Sequence, residues 1–132
     1  MARFAIASVI NGNLYTALLL AWAHSVARQL HENPLVSAST HLVFVHCRAD
    51  VPTLQTIADC IMGRCARLGV RDAPRKYPTV RVRLIGGCVE HPSRGHNHFL
   101  DAMRRNTGHA RFLNTWSIFH LWSLTDYEQV LY

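Results

Sequence analysis

Lysine is almost missing from this chain: Lys76 is the single one, and every other member of the 14 Lys and Arg residues is arginine. Acidic residues are also few, eight in all, which leaves a formal net charge of +6. The positive charge is therefore carried by planar guanidinium forks, which suit phosphate and carboxylate groups. Such a surface is expected to attract phosphate-bearing partners. Charged residues make up only 17% and hydrophobic residues 49% of the chain, a balance that excludes intrinsic disorder. Seven glycines and five prolines in 132 residues exclude a collagen-like repeat. The four cysteines, Cys47, Cys60, Cys65 and Cys88, lack the tight framework of a disulfide-stapled miniprotein. Reduced thiols in a cytosolic-type compartment are expected, since a core can form unstapled at this length.

No stretch reaches the roughly 20 continuous apolar residues that a membrane span needs. The apolar run after Asn13 is interrupted at His24. A secretory signal is the competing reading, because no formal charge lies between Arg3 and Arg28 and Leu18-Leu19-Leu20-Ala21-Trp22-Ala23 resembles a signal-peptide core. Ser8, Asn11, Gly12 and Asn13 cut that stretch in two. A cytoplasmic location is favoured on this ground, with the secretory pathway or Golgi lumen as the alternative. No repeat, low-complexity tract or shift of composition marks a domain boundary, so residues 1–132 are read as one domain.

Residues Arg3 to Ile10 are small or β-branched and apolar, and Asn11-Gly12-Asn13 supplies turn chemistry after them; this predicts a buried strand. Leu14, Ala17, Leu18, Ala21, Trp22 and Val26 recur at spacings of three and four, which predicts a helix from Leu14 to Leu30. The run from His41 to Cys47 predicts a second strand, and Leu54, Ile57, Ala58, Ile61 and Met62 a second helix. Thr79 to Gly86 alternates apolar and charged residues and stops at Gly86-Gly87, a third strand less buried on one face. Between Gly87 and Ala110 a polar, histidine-rich loop with a short helix near Phe99 to Arg105 is expected. Helical spacing returns from Phe112 to Leu124, and Gln129 to Tyr132 begins a fourth strand.

This order implies an α/β fold: a Rossmann-like parallel sheet with right-handed crossovers and helices on both faces. Ligands of such sheets sit beyond the carboxyl ends of the strands, where the strand order reverses. With the fourth strand beside the first, that crevice is walled by residues Asn11 to Tyr15 and by whatever would follow Tyr132.

The segment His120-Leu121-Trp122-Ser123-Leu124-Thr125-Asp126-Tyr127 resembles the stretch of glycogenin-like, family 8 glycosyltransferases that leads into their Asp-x-Asp motif. The first strand with Asn11 and Tyr15, followed by the helix with Leu18-Leu19-Leu20, is similar to the family's nucleotide-gripping turn. Residues between about 48 and 110 carry little likeness. The resemblance implies the N-terminal half of a GT-A fold, a partial domain, and transfer of a hexose from a UDP-sugar such as UDP-glucose to a hydroxyl acceptor. It implies a divalent cation, typically manganese, in a complete homologue, because a leaving diphosphate needs its developing charge stabilised.

Position by position, the family's nucleoside contacts fall on Val9, Asn11 and Gly12, and Tyr15 matches the aromatic that packs on uracil. Gly12 stands where the family usually has Asn. Ile118 stands where it usually has a Lys that reaches the phosphates; Arg111 is offered as a substitute on charge and proximity alone. No catalytic residue and no metal ligand is assigned within this chain, which is expected to end just before Asp-x-Asp and to lack transferase activity.

Plainer roles compete with these. Tyr15 also suits simple core packing, and Trp116, Phe119 and Trp122 read as core residues of an amphipathic helix. Asp126 and Glu128 have a metal pair's spacing but precede the fourth strand, and are not taken as the metal site. Cys88, His91, His96 and His98 match no zinc module. The alternative function is a small basic module that binds nucleic acid or another polyanion, on the strength of Arg75-Lys76 and of Arg81, Arg83, Arg104 and Arg105. No recognised nucleic-acid motif accompanies these residues, so no specific nucleic-acid partner is expected.

Overall fold

A computed structural model describes residues 2–12, 16–63, 77–88 and 118–132. Its elements are β1 (Phe4–Asn11), α1 (Thr16–His31), α2 (Pro34–Ser37), β2 (Thr40–Cys47), α3 (Val51–Ile61), β3 (Arg81–Gly86) and β4 (Gln129–Leu131). The four strands form one all-parallel sheet in the order β3-β2-β1-β4. The strand order therefore reverses between β1 and β4, as the α/β reading requires.

Alternation along the strands sends side chains to two cores. On one face Ile10, Leu42 and Phe44 pack with α1 and α3; on the other Ala5, Ala7, Val43 and Val45 pack with Leu124 and Tyr127. β2 is buried nearly throughout, which is why His41 to Cys47 reads as an apolar run rather than an alternation. β3 is a sheet edge whose Arg81 and Arg83 turn outward.

α3 buries Leu54, Ile57, Ala58 and Ile61, the stripe expected from the sequence. α1 keeps part of its expected stripe, Trp22 and Val26 packing partly buried against the core, and corrects the rest. Its buried face is Leu19, Ala23, Ala27 and Leu30, whereas Leu18 is exposed, as are Ala17 and Ala21. A three-leucine run fits either phase, and the small Ala23 and Ala27 let the helix approach the sheet closely. The stretch that resembles a signal core is thus part of a helix packed on the sheet. No helix among the described residues is long and apolar enough to cross a membrane.

The second face is covered differently from expectation. Where a regular helix to Leu124 is predicted, the described part, residues 118–123, is a pair of 3₁₀ turns. Leu124 and Tyr127 point inward from it, but Trp122 is 79% and Phe119 38% exposed. The core role expected for these two aromatics is therefore corrected: 3₁₀ geometry repeats every three residues rather than 3.6 and turns them outward. Trp116, and the loop and short helix expected between Gly87 and Ala110 apart from Gly87 and Cys88, lie outside the described residues.

A second correction concerns the thiols. Cys47 and Cys88 are disulfide-bonded, with their Cα atoms 4.9 Å apart, while Cys60 remains a buried thiol. The two half-cystines are 41 residues apart in sequence. They meet because β2 and β3 are parallel neighbours that end together, His46 lying opposite Gly86.

Candidate functional site

The carboxyl end of β1 carries the residues expected to bind. β1 lies in the middle of the sheet, so its exit is fixed from the β2 side over its whole length, Asn11 pairing in register with Cys47. The ladder closes with Gly12, whose N–H donates to the Cys47 carbonyl at 2.9 Å. Gly12 has φ +68°, a left-handed conformation open to glycine and next most readily to Asn. The glycine found where the resembling family has Asn is thus compatible with the backbone shape that either residue can supply.

On the β4 side the pairing stops early. β4 reaches only Phe4, Ala5 and Ile6, so among the described residues the second half of β1 has no strand neighbour there. A groove of about 730 Å³ opens along it, walled by α1 through Trp22 and Val26, by Ile6 and Ser8, and by Leu131 and Tyr132. Its walls are mainly apolar. Beside it, a smaller cavity of about 300 Å³ is lined by Val9, Asn11, Leu18 and Leu19, and shares Ser8 and Trp22 with the groove. Apolar walls with a few placed polar groups are the usual make-up of a small-molecule site.

One lining residue of this cavity stands apart. The Asn11 side-chain oxygen is buried and has no hydrogen-bond partner among the described residues. An unsatisfied buried acceptor costs about 1–3 kcal/mol. Val9 is half-buried and lines the same cavity. Tyr15 and Arg111, the expected base-stacking and phosphate-contacting residues, lie outside the described residues.

Sequence reasoning missed Arg48. It is exposed, follows directly on the carboxyl end of β2, and adopts φ 55°, the single left-handed non-glycine conformation among the described residues. Its neighbour Cys47 is the residue that holds Gly12. Arg48 thus follows directly on the residue that pairs with Asn11 and holds Gly12. Nothing in a lone Arg after a strand would have signalled this from the sequence.

Arg3, Arg83, Asp126 and Glu128 are engaged away from this edge. Arg3 makes a two-pronged ion pair with Glu128 at 2.7 and 2.9 Å, and Arg83 contacts Asp126 at 3.3 Å. Asp126 and Glu128 thus precede β4 at its amino end and face arginines. Among the described residues no group of three or more His, Cys, Asp or Glu could hold a metal ion. These carboxylates do not fit the divalent cation that the resemblance implies. Cys88, considered as a zinc ligand with His91, His96 and His98, has its sulfur in the disulfide; the three histidines lie outside the described residues.

Ile118, at the position of the family's Lys, lines an apolar cavity of about 300 Å³ with Phe119, Leu121, Trp122, Val130 and Tyr132. Arg81 and Arg83, named in the polyanion reading, are also occupied: Arg81 donates to the Pro78 carbonyl, and Arg83 lies over the Tyr127 ring. Arg75, Lys76, Arg104 and Arg105 lie outside the described residues.

Comparison with protein-family models, with curated proteins and with solved structures gives no match for this chain. Fold and site chemistry therefore define a class and no more: an α/β domain with a parallel sheet and a cavity at the point where its strand order reverses.

Proposed function

We propose that this chain is a glycogenin-like, family 8 glycosyltransferase half-domain that binds the nucleotide of a UDP-sugar at the carboxyl end of β1. The observation that carries the reading is the unpartnered, buried oxygen of Asn11, a residue that lines a cavity at the switch point where α/β sheets take ligands. An acceptor in that place selects a donor. The N3–H of uracil is one, whereas cytosine has an acceptor at N3 and its donor on the neighbouring N4, so an oxygen that meets N3 favours UDP over CDP. Tyr15 stacks on the base in this reading, Gly12 provides the turn, and a cation near the edge, Arg111 or Arg48, meets the diphosphate.

The His120-to-Tyr127 likeness supports the family, and the β1–β4 adjacency supports a nucleotide half-domain. The proposal for this chain concerns nucleotide binding alone; manganese belongs to the hexose-transfer step that the resemblance implies. A cytoplasmic location fits a reduced chain; the Cys47–Cys88 bond supports the secretory-pathway alternative for the oxidised one.

Calorimetric titration of the chain with UDP, CDP and uridine tests the reading. UDP is expected to bind, CDP to bind at least about tenfold more weakly, and Asn11→Ala to remove the preference. Equal affinity for UDP and CDP, or an unchanged preference in Asn11→Ala, would overturn it.

A further inference from the structure

The disulfide lies where the nucleotide reading does not require one, and it is joined to the mouth of the cavity. Cys47 has two attachments. Its sulfur is bonded to Cys88, and its carbonyl accepts the Gly12 N–H at 2.9 Å. The residue after it, Arg48, holds the left-handed backbone described above. A non-glycine residue keeps such a conformation when its surroundings over-determine it, and here the preceding residue is held by both the disulfide and the β1–β2 ladder.

The two half-cystine residues also differ in exposure: Cys47 is 1% exposed, whereas Cys88 is an exposed residue at the exit of β3. Attack by an outside thiolate therefore has one open side. The chain leading to Cys88 is held independently of the bond. Gly87 donates its N–H to the His46 carbonyl at 2.9 Å, and the His120 ring packs so closely on Gly87 that a Cβ there would lie 2.5 Å from it. After reduction Cys88 stays near Cys47, and the bond can form again.

We propose that Cys47–Cys88 is a thiol–disulfide exchange site, entered at Cys88, whose reduction loosens the carboxyl end of β1. A dithiol supplies the electrons. Its thiolate attacks the Cys88 sulfur, the S–S bond breaks, and Cys47 leaves as a thiolate that takes up a proton. The second thiol of the reductant then attacks the mixed disulfide and frees Cys88, which is protonated in turn, while the dithiol departs as a disulfide. Two electrons have passed to the protein. Arg48 loses one of its constraints, and the Gly12–Cys47 hydrogen bond opens more often. The effect on nucleotide affinity rests on the reading in the preceding subsection; the release of the turn does not.

The test compares the full chain, oxidised and after dithiothreitol, with a Cys88→Ser variant. Reduction under native conditions, followed by denaturation and alkylation, should show two further labelled thiols in the intact mass, lost again when the reduced chain is first treated with oxidised glutathione. Hydrogen exchange at Gly12 should quicken about tenfold while Leu42 to Val45 stay protected, and Cys88→Ser should reproduce the reduced pattern. UDP should bind about tenfold more weakly to the reduced form. Resistance of the bond until the chain is denatured, unchanged exchange at Gly12, or loss of protection throughout the sheet would overturn the proposal. If exchange at Gly12 responds to reduction but UDP binds neither form, the nucleotide reading falls and the exchange site stands.

Discussion

The Tyr127 hydroxyl lies 2.8 Å from Nδ1 of His41, a bond that spans 86 residues of sequence. Arg83 donates to the same phenol oxygen at 3.2 Å. The phenol oxygen can accept from Arg83 while its O–H donates to a neutral Nδ1 of His41. The two rings also meet edge to face with centroids 5.7 Å apart. This arrangement, with Glu128 donating its N–H to the Arg3 carbonyl at 2.8 Å, pins the turn before β4 to the beginnings of β1, β2 and β3. The last residue of the His-x-Trp-Ser-Leu-Thr-x-Tyr stretch thus acts as a lock on the sheet, at the opposite edge from the candidate cavity.

Acid should weaken that lock. Burial holds the His41 imidazole below its ordinary pKa, and the positive charge of Arg83, with that of Arg81, acts in the same direction. The unfolded chain therefore takes up the proton first, near pH 6.5. His41's contribution to stability is complete above about pH 6.5 and is lost progressively as pH falls below that value toward its lower folded-state pKa. Urea midpoints measured between pH 7.5 and 5 should decline, and His41→Phe should flatten the decline over that window. A wild-type midpoint that does not move would contradict the assignment.

Tyr127→Phe keeps the buried ring and removes the hydroxyl. It should cost about 1 kcal/mol at pH 7.5, the ordinary worth of a hydrogen bond of this kind. Urea denaturation of the two proteins decides it; equal stability would show that the hydroxyl does not hold the turn.

Gly12 tests the backbone at the site. A Cβ there would have no atom within 4 Å, so space is no obstacle, but φ is +68°. Gly12→Ala should destabilise by about 1–2 kcal/mol and Gly12→Asn by less, because Asn tolerates the left-handed region better. Thermal or urea unfolding of both variants provides the measure. Alanine proving no worse than asparagine would mean that the turn reshapes freely.

Most of the sheet was legible because its signals were local. The stripe of Leu54, Ile57, Ala58 and Ile61 fits one helical phase, and β2 has apolar residues on both faces, so pattern and position agree. The Leu18-Leu19-Leu20 run was ambiguous, since neighbouring leucines serve two phases equally and Ala23 and Ala27 decide between them only once the sheet is present. For the site, the switch point at β1 follows from strand order, whereas the Cys47–Cys88 bond follows from β2 and β3 ending side by side, which no spacing of cysteines encodes. Trp122 misled because a periodic pattern assumes 3.6 residues per turn, and this segment is wound tighter.

The outward aromatics offer a direct check of that correction. Trp122→Ala should change stability by no more than about 0.5 kcal/mol, as for an exposed side chain. Leu124→Ala, two residues on and buried, should cost about 2–5 kcal/mol. Comparable losses in the two variants would place Trp122 back in the core.

The central claim, that a UDP moiety is held at the carboxyl end of β1, is tested most directly by titrating the ¹⁵N-labelled chain with UDP and following backbone and Asn side-chain amide resonances. The account predicts saturable shifts at Val9, Asn11 and Gly12, with the Asn11 side-chain amide among the largest, and little change at Arg81 to Arg83 on the opposite edge. Shifts confined to the arginines of that edge, or none at millimolar UDP, would contradict it.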